Sequence, residues 1–311
     1  MKITVIGSGA VGGYYGAKLV RAGHDVTFVA RGAHLTAMQA SGLTVRGPLG
    51  DFHVRVRATD NPSDLQPADV VLFAVKTYSN PGALPLLAAA AGDGAVVLTL
   101  QNGVDSVDAI EATIGKGRVL GGATYIAAAL VQPGVIEQTG VHRRIVFGEP
   151  SARLPRVSPR VRTLDAVLRD ADIVSEPVTN AWVPLWEKFC YLAPFAGFTG
   201  AARLPIGPLW SDRSTRNLMV AAFREVAGLA RAERVRLPTG TVARIVRYAD
   251  ALQPTVRSSL LIDLQQGKPI EVEGLLGAVV ARAKRRRVGV PIMSALYGVL
   301  KPHAHGTTTA R

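Results

Sequence analysis

The chain opens on a short β-rich run, Lys2–Ile6, followed at once by Gly7-Ser8-Gly9-Ala10-Val11-Gly12. A G-x-G-x-x-G run is weak evidence alone, because glycines are common in turns. Between a strand and a helix it fits the first turn of a dinucleotide-binding βαβ unit. Here Val11–Ala22 reads as a helix ending at Gly23, and Asp25–Ala30 is a second β-rich run. Strand, turn, helix and strand thus occupy about 30 residues, the size of one such unit. Gly7 permits the tight turn, Gly9 lets the backbone approach a pyrophosphate, and Gly12 lets the helix pack close to the strand. The free N–H groups and positive dipole end of the helix favour an anion. Gly7, Ser8, Gly9, Ala10, Val11 and Gly12 form the expected cradle; the alternative is a plain Gly-rich turn.

The same alternation continues downstream. Leu43–Val45 and Phe52–Val56 read as a small hairpin. Ala68–Val75, Ala95–Leu100 and Arg118–Gly122 are apolar runs, as expected of parallel strands buried on both faces. Helical stretches, Leu84–Ala91 and Val104–Ile114, separate them. This predicts an α/β fold with an N-terminal Rossmann doubly wound sheet. Ala123–Val131, Val135–Gln138 and Ile145–Gly148 read as antiparallel additions, Pro155–Arg169 as a helix and Asp172–Val174 as a closing strand. From Thr179 the pattern is helical almost throughout, with helices over Ala181–Phe195, Thr215–Arg234, Thr239–Tyr248, Arg257–Gln266, Val272–Arg286 and Ile292–Leu300. The expected division is a dinucleotide-binding domain over 1–177, an all-helical C-terminal substrate and closure domain over 178–301, and a flexible tail over 302–311.

The end of the second strand bears on the cofactor. An NAD site usually places an acid there to bind the ribose hydroxyls. This chain has Val29-Ala30-Arg31 instead. A guanidinium suits the adenosine 2′-phosphate, which it can meet with forked, charge-assisted bonds. Arg31 therefore points to NADP(H), against the plainer reading of a surface arginine.

Length and charge bound the remaining choices. A chain of 311 residues holds about two domains. A formal net charge of +13 raises the question of nucleic acid, but it also suits a phosphate-bearing small ligand. The one dense basic run, Lys284–Arg287, reads as a solvated helix end, and no nucleic-acid-binding motif accompanies it. No apolar run is long enough to span a bilayer, and the N-terminus lacks the pattern of a signal peptide. With Cys190 the single cysteine, no internal disulfide can form, which agrees with a cytoplasmic protein. His303 and His305 lack a third ligand, so no metal site is expected. Cys190 reads as a buried small hydrophobe and not as a nucleophile.

Further segments then add up. KITVIGSGAVGG at the start, AVKTY after the third main strand, QNGV after the fourth, LWEKF in the first helix of the helical half, and SSLLIDLQQGKPIEVEGLLG near the end occur in order. On these the chain resembles the ketopantoate reductase (2-dehydropantoate 2-reductase) family over nearly its full length. The resemblance implies an NADPH-dependent oxidoreductase of pantothenate biosynthesis that reduces a 2-oxo acid to its 2-hydroxy acid. Lys188 matches the catalytic lysine. Lys76 matches a lysine near the nicotinamide end of the cofactor, and Ala127 falls where the backbone touches it. Asn102 matches an asparagine that contacts cofactor and substrate, Ser259 a serine that binds the substrate carboxylate, and Glu271 a glutamate of the closed active site beside the cofactor. The chemistry suits these types: a lysine ammonium can stabilise the developing alkoxide and deliver a proton, and Glu271 can orient it or hold a substrate hydroxyl.

The departures concern substrate. The family typically carries asparagines four and eight residues after the catalytic lysine and another before a later glycine. Here Leu192, Ala196 and Ile206 occupy those positions. Sites that bond a hydroxyl discriminate strongly and apolar ones do not, so a less polar 2-oxo acid fits as well as ketopantoate. Pro194 is expected to kink the first helix of the helical half. Two other readings stay open: an imine or opine-type reductase, and a sensor that binds NADP(H) without turnover. Neither nucleic acid nor membrane is an expected partner, and a homodimer stays open.

Overall fold

The computed structural model describes residues 1–151 and 155–306. Among the described residues, contacts group 1–101 with 106–182, and 102–105 with those from 183 onward.

The first unit is built on one mixed sheet. Its strands are β1 (Lys2–Ile6), β2 (Asp25–Val29), β3 (Leu43–Arg46), β4 (Phe52–Val54), β5 (Arg57–Thr59), β6 (Ala68–Phe73), β7 (Ala91–Thr99), β8 (Val119–Gln132), β9 (Val135–Gly148) and β10 (Val174–Val178). The order is β4-β3-β9-β8-β7-β6-β1-β2-β5, and β10 pairs with β9. From β5 across to β8 every pairing is parallel, the doubly wound core. Val5, Phe28, Leu72 and Leu98 are fully buried in it, as strands covered on both faces require. The strand order reverses beside β1, between β2 and β6, where such sheets open a crevice at their carboxyl ends.

The helices of this unit are α1 (Ala10–Arg21), α2 (Gly32–Ser41), α3 (Asn80–Ala90), α4 (Ser106–Ile114) and α5 (Pro159–Asp170). The three antiparallel additions expected after Gly122 are in fact one hairpin, β8 with β9, each strand 14 residues long. The expected hairpin of β3 with β4 is present and antiparallel.

The second unit is helical: α6 (Trp182–Ala202), α7 (Ile206–Ser211), α8 (Arg213–Ala232), α9 (Thr241–Asp250), α10 (Ser259–Gln265), α11 (Ala278–Arg286) and α12 (Pro291–Leu300). One π-helical turn, Glu273–Gly277, leads directly into α11. Helix α6 runs past the expected end at Phe195 and continues through Pro194, so the proline interrupts neither side. What it removes is the N–H that Cys190's carbonyl would otherwise accept. After α12 a 3-10 turn covers Lys301–His303, and the Ala304 carbonyl accepts from the Ile270 N–H at 3.1 Å. The part of the expected tail beyond residue 306 lies outside the described residues. No helix among the described residues is long and apolar enough to cross a membrane.

Candidate active site

In the first unit the glycine loop lies at the carboxyl end of β1, beside the end of β6. Gly7 has φ +97°, and a Cβ there would stand 2.5 Å from the Val75 nitrogen. A Cβ on Gly12 would stand 2.2 Å from the Gly7 carbonyl oxygen. Neither position can carry a side chain, whereas the space around Gly9 is open to 4 Å. Helix α1 begins with no side-chain cap and no acid in its first turn. A bare N-terminus beside an open glycine fits a pyrophosphate.

The loop is fixed from outside. Ser8 Oγ donates to the Val29 carbonyl at 2.7 Å, at the end of β2. His34, on α2, holds the Ser8 carbonyl from the other side. Its Nδ1 accepts from the Gly134 N–H at 3.0 Å, so Nε2 carries the proton and donates to Ser8 O at 2.8 Å. This tautomer follows from the partners, because a backbone N–H can only donate and a carbonyl only accept. His34 was not signalled by any motif.

Arg31 precedes α2 in extended conformation and is exposed, with its guanidinium 3.3 Å from the Gly82 carbonyl. Lys76 follows β6 and opens a 3-10 turn over Thr77–Ser79. That turn is held by Gln101, whose Nε2 donates to the Val75 carbonyl at 2.8 Å and to Asn80 Oδ1 at 2.7 Å. Gln101 is buried, and its Oε1 has no partner among the described residues. Its role is visible only once β6 and β7 lie side by side. Ala127 sits on the exposed part of β8, where the register with β9 shifts.

The second unit brings Lys188, Asn102 and Glu271 together. Lys188 projects from α6 and its Nζ donates to Asn102 Oδ1 at 2.8 Å. Burial pushes its pKa down from the ordinary lysine value to about 8, and the nearby Glu271 carboxylate opposes that shift. Glu271 is itself buried. A hydrogen bond from the ammonium to an amide oxygen favours the charged form. The result is a lysine charged at neutral pH that surrenders a proton more readily than an exposed one.

Four and eight residues along α6, Leu192 and Ala196 occupy neighbouring turns of the helix; Leu192 is partly buried and Ala196 fully buried. Ile206 begins α7 and is buried. Ser259 is exposed at the first turn of α10, and the preceding Ser258 is the buried cap of that helix. Burial pushes the Cys190 thiol up to about 12, which leaves it protonated and inert.

Comparison with known proteins identifies the family. The family model described as ketopantoate reductase PanE/ApbA matches residues 3–152, and its C-terminal counterpart matches residues 181–304. A 2-dehydropantoate 2-reductase of Mesorhizobium japonicum is 33% identical over 90% of each chain. One of Archaeoglobus fulgidus is 32% identical over 96% of this chain and 97% of its own. The crystal structure of a 2-dehydropantoate 2-reductase from Geobacter metallireducens superposes with a TM-score of 0.90 at 29% identity, over 97% of this chain and 99% of that one. With both family models matched in order along one chain, this protein belongs to the ketopantoate reductase family of oxidoreductases.

Proposed function

We propose that this protein reduces a 2-oxo acid to the 2-hydroxy acid with NADPH, ketopantoate being the reference substrate. The observation that carries the reading is the Lys188–Asn102 hydrogen bond beside a buried glutamate. When bound, the nicotinamide supplies hydride to the carbonyl carbon. The chain's residues supply the rest. Lys188 holds the carbonyl oxygen, stabilises the charge that gathers there and delivers the proton that completes the hydroxyl. Asn102 orients the ammonium through its oxygen, which leaves its NH2 group to hold substrate or cofactor. Glu271 keeps Lys188 charged despite burial. Ser259 binds the substrate carboxylate. On the cofactor side, Gly7, Ser8, Gly9, Ala10, Val11 and Gly12 cradle the pyrophosphate, Arg31 meets the 2′-phosphate, and Lys76 and Ala127 line the path toward the nicotinamide.

Leu192, Ala196 and Ile206 favour a substrate whose side chain is less polar than that of ketopantoate. An apolar lining offers nothing to a substrate hydroxyl, and desolvating that hydroxyl without a partner is unfavourable. The test is NADPH oxidation measured across ketopantoate, branched alkyl 2-oxo acids and imines. Turnover of 2-oxo acids supports the reading. Turnover of imines alone would replace it with an imine reductase, and cofactor binding without turnover of any carbonyl would replace it with a sensor.

A further inference from the structure

The Lys188–Asn102 bond depends on where residues 102–105 are held, and that turn packs within the helical unit. Gly103 takes φ +99°, and a Cβ there would stand 2.7 Å from the Gly274 carbonyl of the π-turn. The turn is therefore pressed against the helix that begins beside Glu271. Its other side is fixed by Arg282 on α11. Arg282 Nη2 donates to the Val104 carbonyl at 3.0 Å, and Nε donates to Asp105 Oδ1 at 2.6 Å. The Arg282 side chain is only 8% exposed, while that of Asp105 is 48% exposed. The guanidinium also lies 6.0 Å from the Trp186 ring, two residues before Lys188 on α6, and 3.7 Å from Glu233.

A buried guanidinium that bonds both a carbonyl and a carboxylate of one four-residue turn fixes that turn in translation and in rotation, which a single bond does not. We propose that Arg282 is a positioning residue for the reduction: it holds the Asn102–Asp105 turn so that Asn102 Oδ1 faces the Lys188 ammonium. It touches neither reacting atom and acts through Asn102. This rests on the reading of Lys188 as the proton donor.

Two readouts test it. The first needs no substrate: the titration of Lys188, followed by NMR of isotope-labelled lysine and assigned with K188M. Loss of the bond that Lys188 donates to Asn102 removes support for the charged form, so R282Q, D105A and N102A are each expected to move the midpoint down by about half a unit or more. The R282Q/N102A double variant is expected to move it no further than N102A alone. Asp105 is half-exposed, so D105A removes the carboxylate half of the clamp, and with it the rotational constraint, without emptying a buried site, and serves if R282Q fails to fold. An unmoved midpoint in D105A, or double-variant shifts that add, would overturn the proposal. The second readout is turnover. R282Q is expected to lose about 10–100-fold in kcat, R282K to recover part of it as a point charge, and KM to change little. Equal losses in R282K and R282Q would count against the forked contact. If the wild-type chain reduces no 2-oxo acid, the functional reading falls, and the titration still decides whether Arg282 positions Asn102.

Discussion

Thr199 on α6 and Ser258 before α10 share a buried hydrogen bond, oxygen to oxygen at 2.7 Å. Ser258 Oγ accepts from the Leu261 N–H at 3.0 Å, so its own proton goes to Thr199, whose proton in turn goes to the Phe195 carbonyl at 2.7 Å. One relay thus caps α10 and ties it to α6. Replacing Ser258 with alanine removes the cap and one buried bond, and is expected to cost about 1–2 kcal/mol in urea denaturation. Ser259→Ala, at an exposed position, is expected to leave stability within about 0.5 kcal/mol. Its effect falls instead on KM for the 2-oxo acid, which rises.

The Lys188 pKa sets a direction for activity with pH. The ammonium is the form that donates, and burial brings its pKa down to about 8. The reduction rate is therefore expected to fall as pH rises through about 8. Lys188→Met is expected to lower kcat about 10²–10⁴-fold and to abolish that limb. The folded pKa also lies below the ordinary lysine value, so between the two the unfolded chain binds more protons. The Lys188 contribution to stability accordingly rises with pH over that window. Denaturation midpoints of the wild type and Lys188→Met across pH 7 to 10 check the sign: only the wild type gains from this source.

Arg31 is exposed, and its guanidinium lies 3.3 Å from the Gly82 carbonyl. Substitution by alanine is expected to leave folding intact and to reduce the NADPH-over-NADH ratio of kcat/KM about 10–100-fold, the scale of one or two charge-assisted bonds. An unchanged ratio would remove Arg31 from 2′-phosphate recognition.

Leu192 stands one helical turn beyond Lys188. Leu192→Asn returns an amide to that position. The expected result is a rise of about tenfold or more in kcat/KM for ketopantoate relative to a 2-oxo acid with a plain branched alkyl chain. Competition between the two substrates in one assay reads this ratio directly.

His34 clamps the loop carbonyl of Ser8 to the β8–β9 turn at Gly134. His34→Leu keeps the bulk and loses both bonds. It is expected to weaken NADPH binding about tenfold, measured by fluorescence titration, with little change in kcat at saturation.

The glycine loop and the β–α alternation were legible because they are local patterns with a strict period. The β8–β9 hairpin read as three pieces because the middle of β9, Thr139 to His142, is exposed and lacks apolar alternation. Helix α2 gave no signal: only Leu35 and Met38 are buried in it, too few to mark a face. The six-residue α7 is shorter than the window in which helical periodicity can be read. In the site, Lys188, Asn102 and Glu271 emerged through family motifs. Arg282 and Asp105 did not, because 177 positions separate them along the chain and neither belongs to a local motif. Gln101 was part of a motif, yet its bonds to Val75 and Asn80 are tertiary.

The π-turn at Glu273–Gly277 sets an angle. Glu271 and Arg282 are eleven positions apart, and an unbroken α-helix at about 100° per residue would put them within about 20° of one face. A π-turn absorbs one extra residue and rotates everything before it by about a quarter of a circle relative to everything after. Glu271 lies just before this helix, its carbonyl accepting from the Leu275 N–H at 3.1 Å, so its direction relative to Arg282 passes through the π-turn. Deleting one residue inside the turn would preserve the helix and its length almost unchanged, yet swing Glu271 out of phase. In this stretch, residue count tunes direction more than it tunes reach.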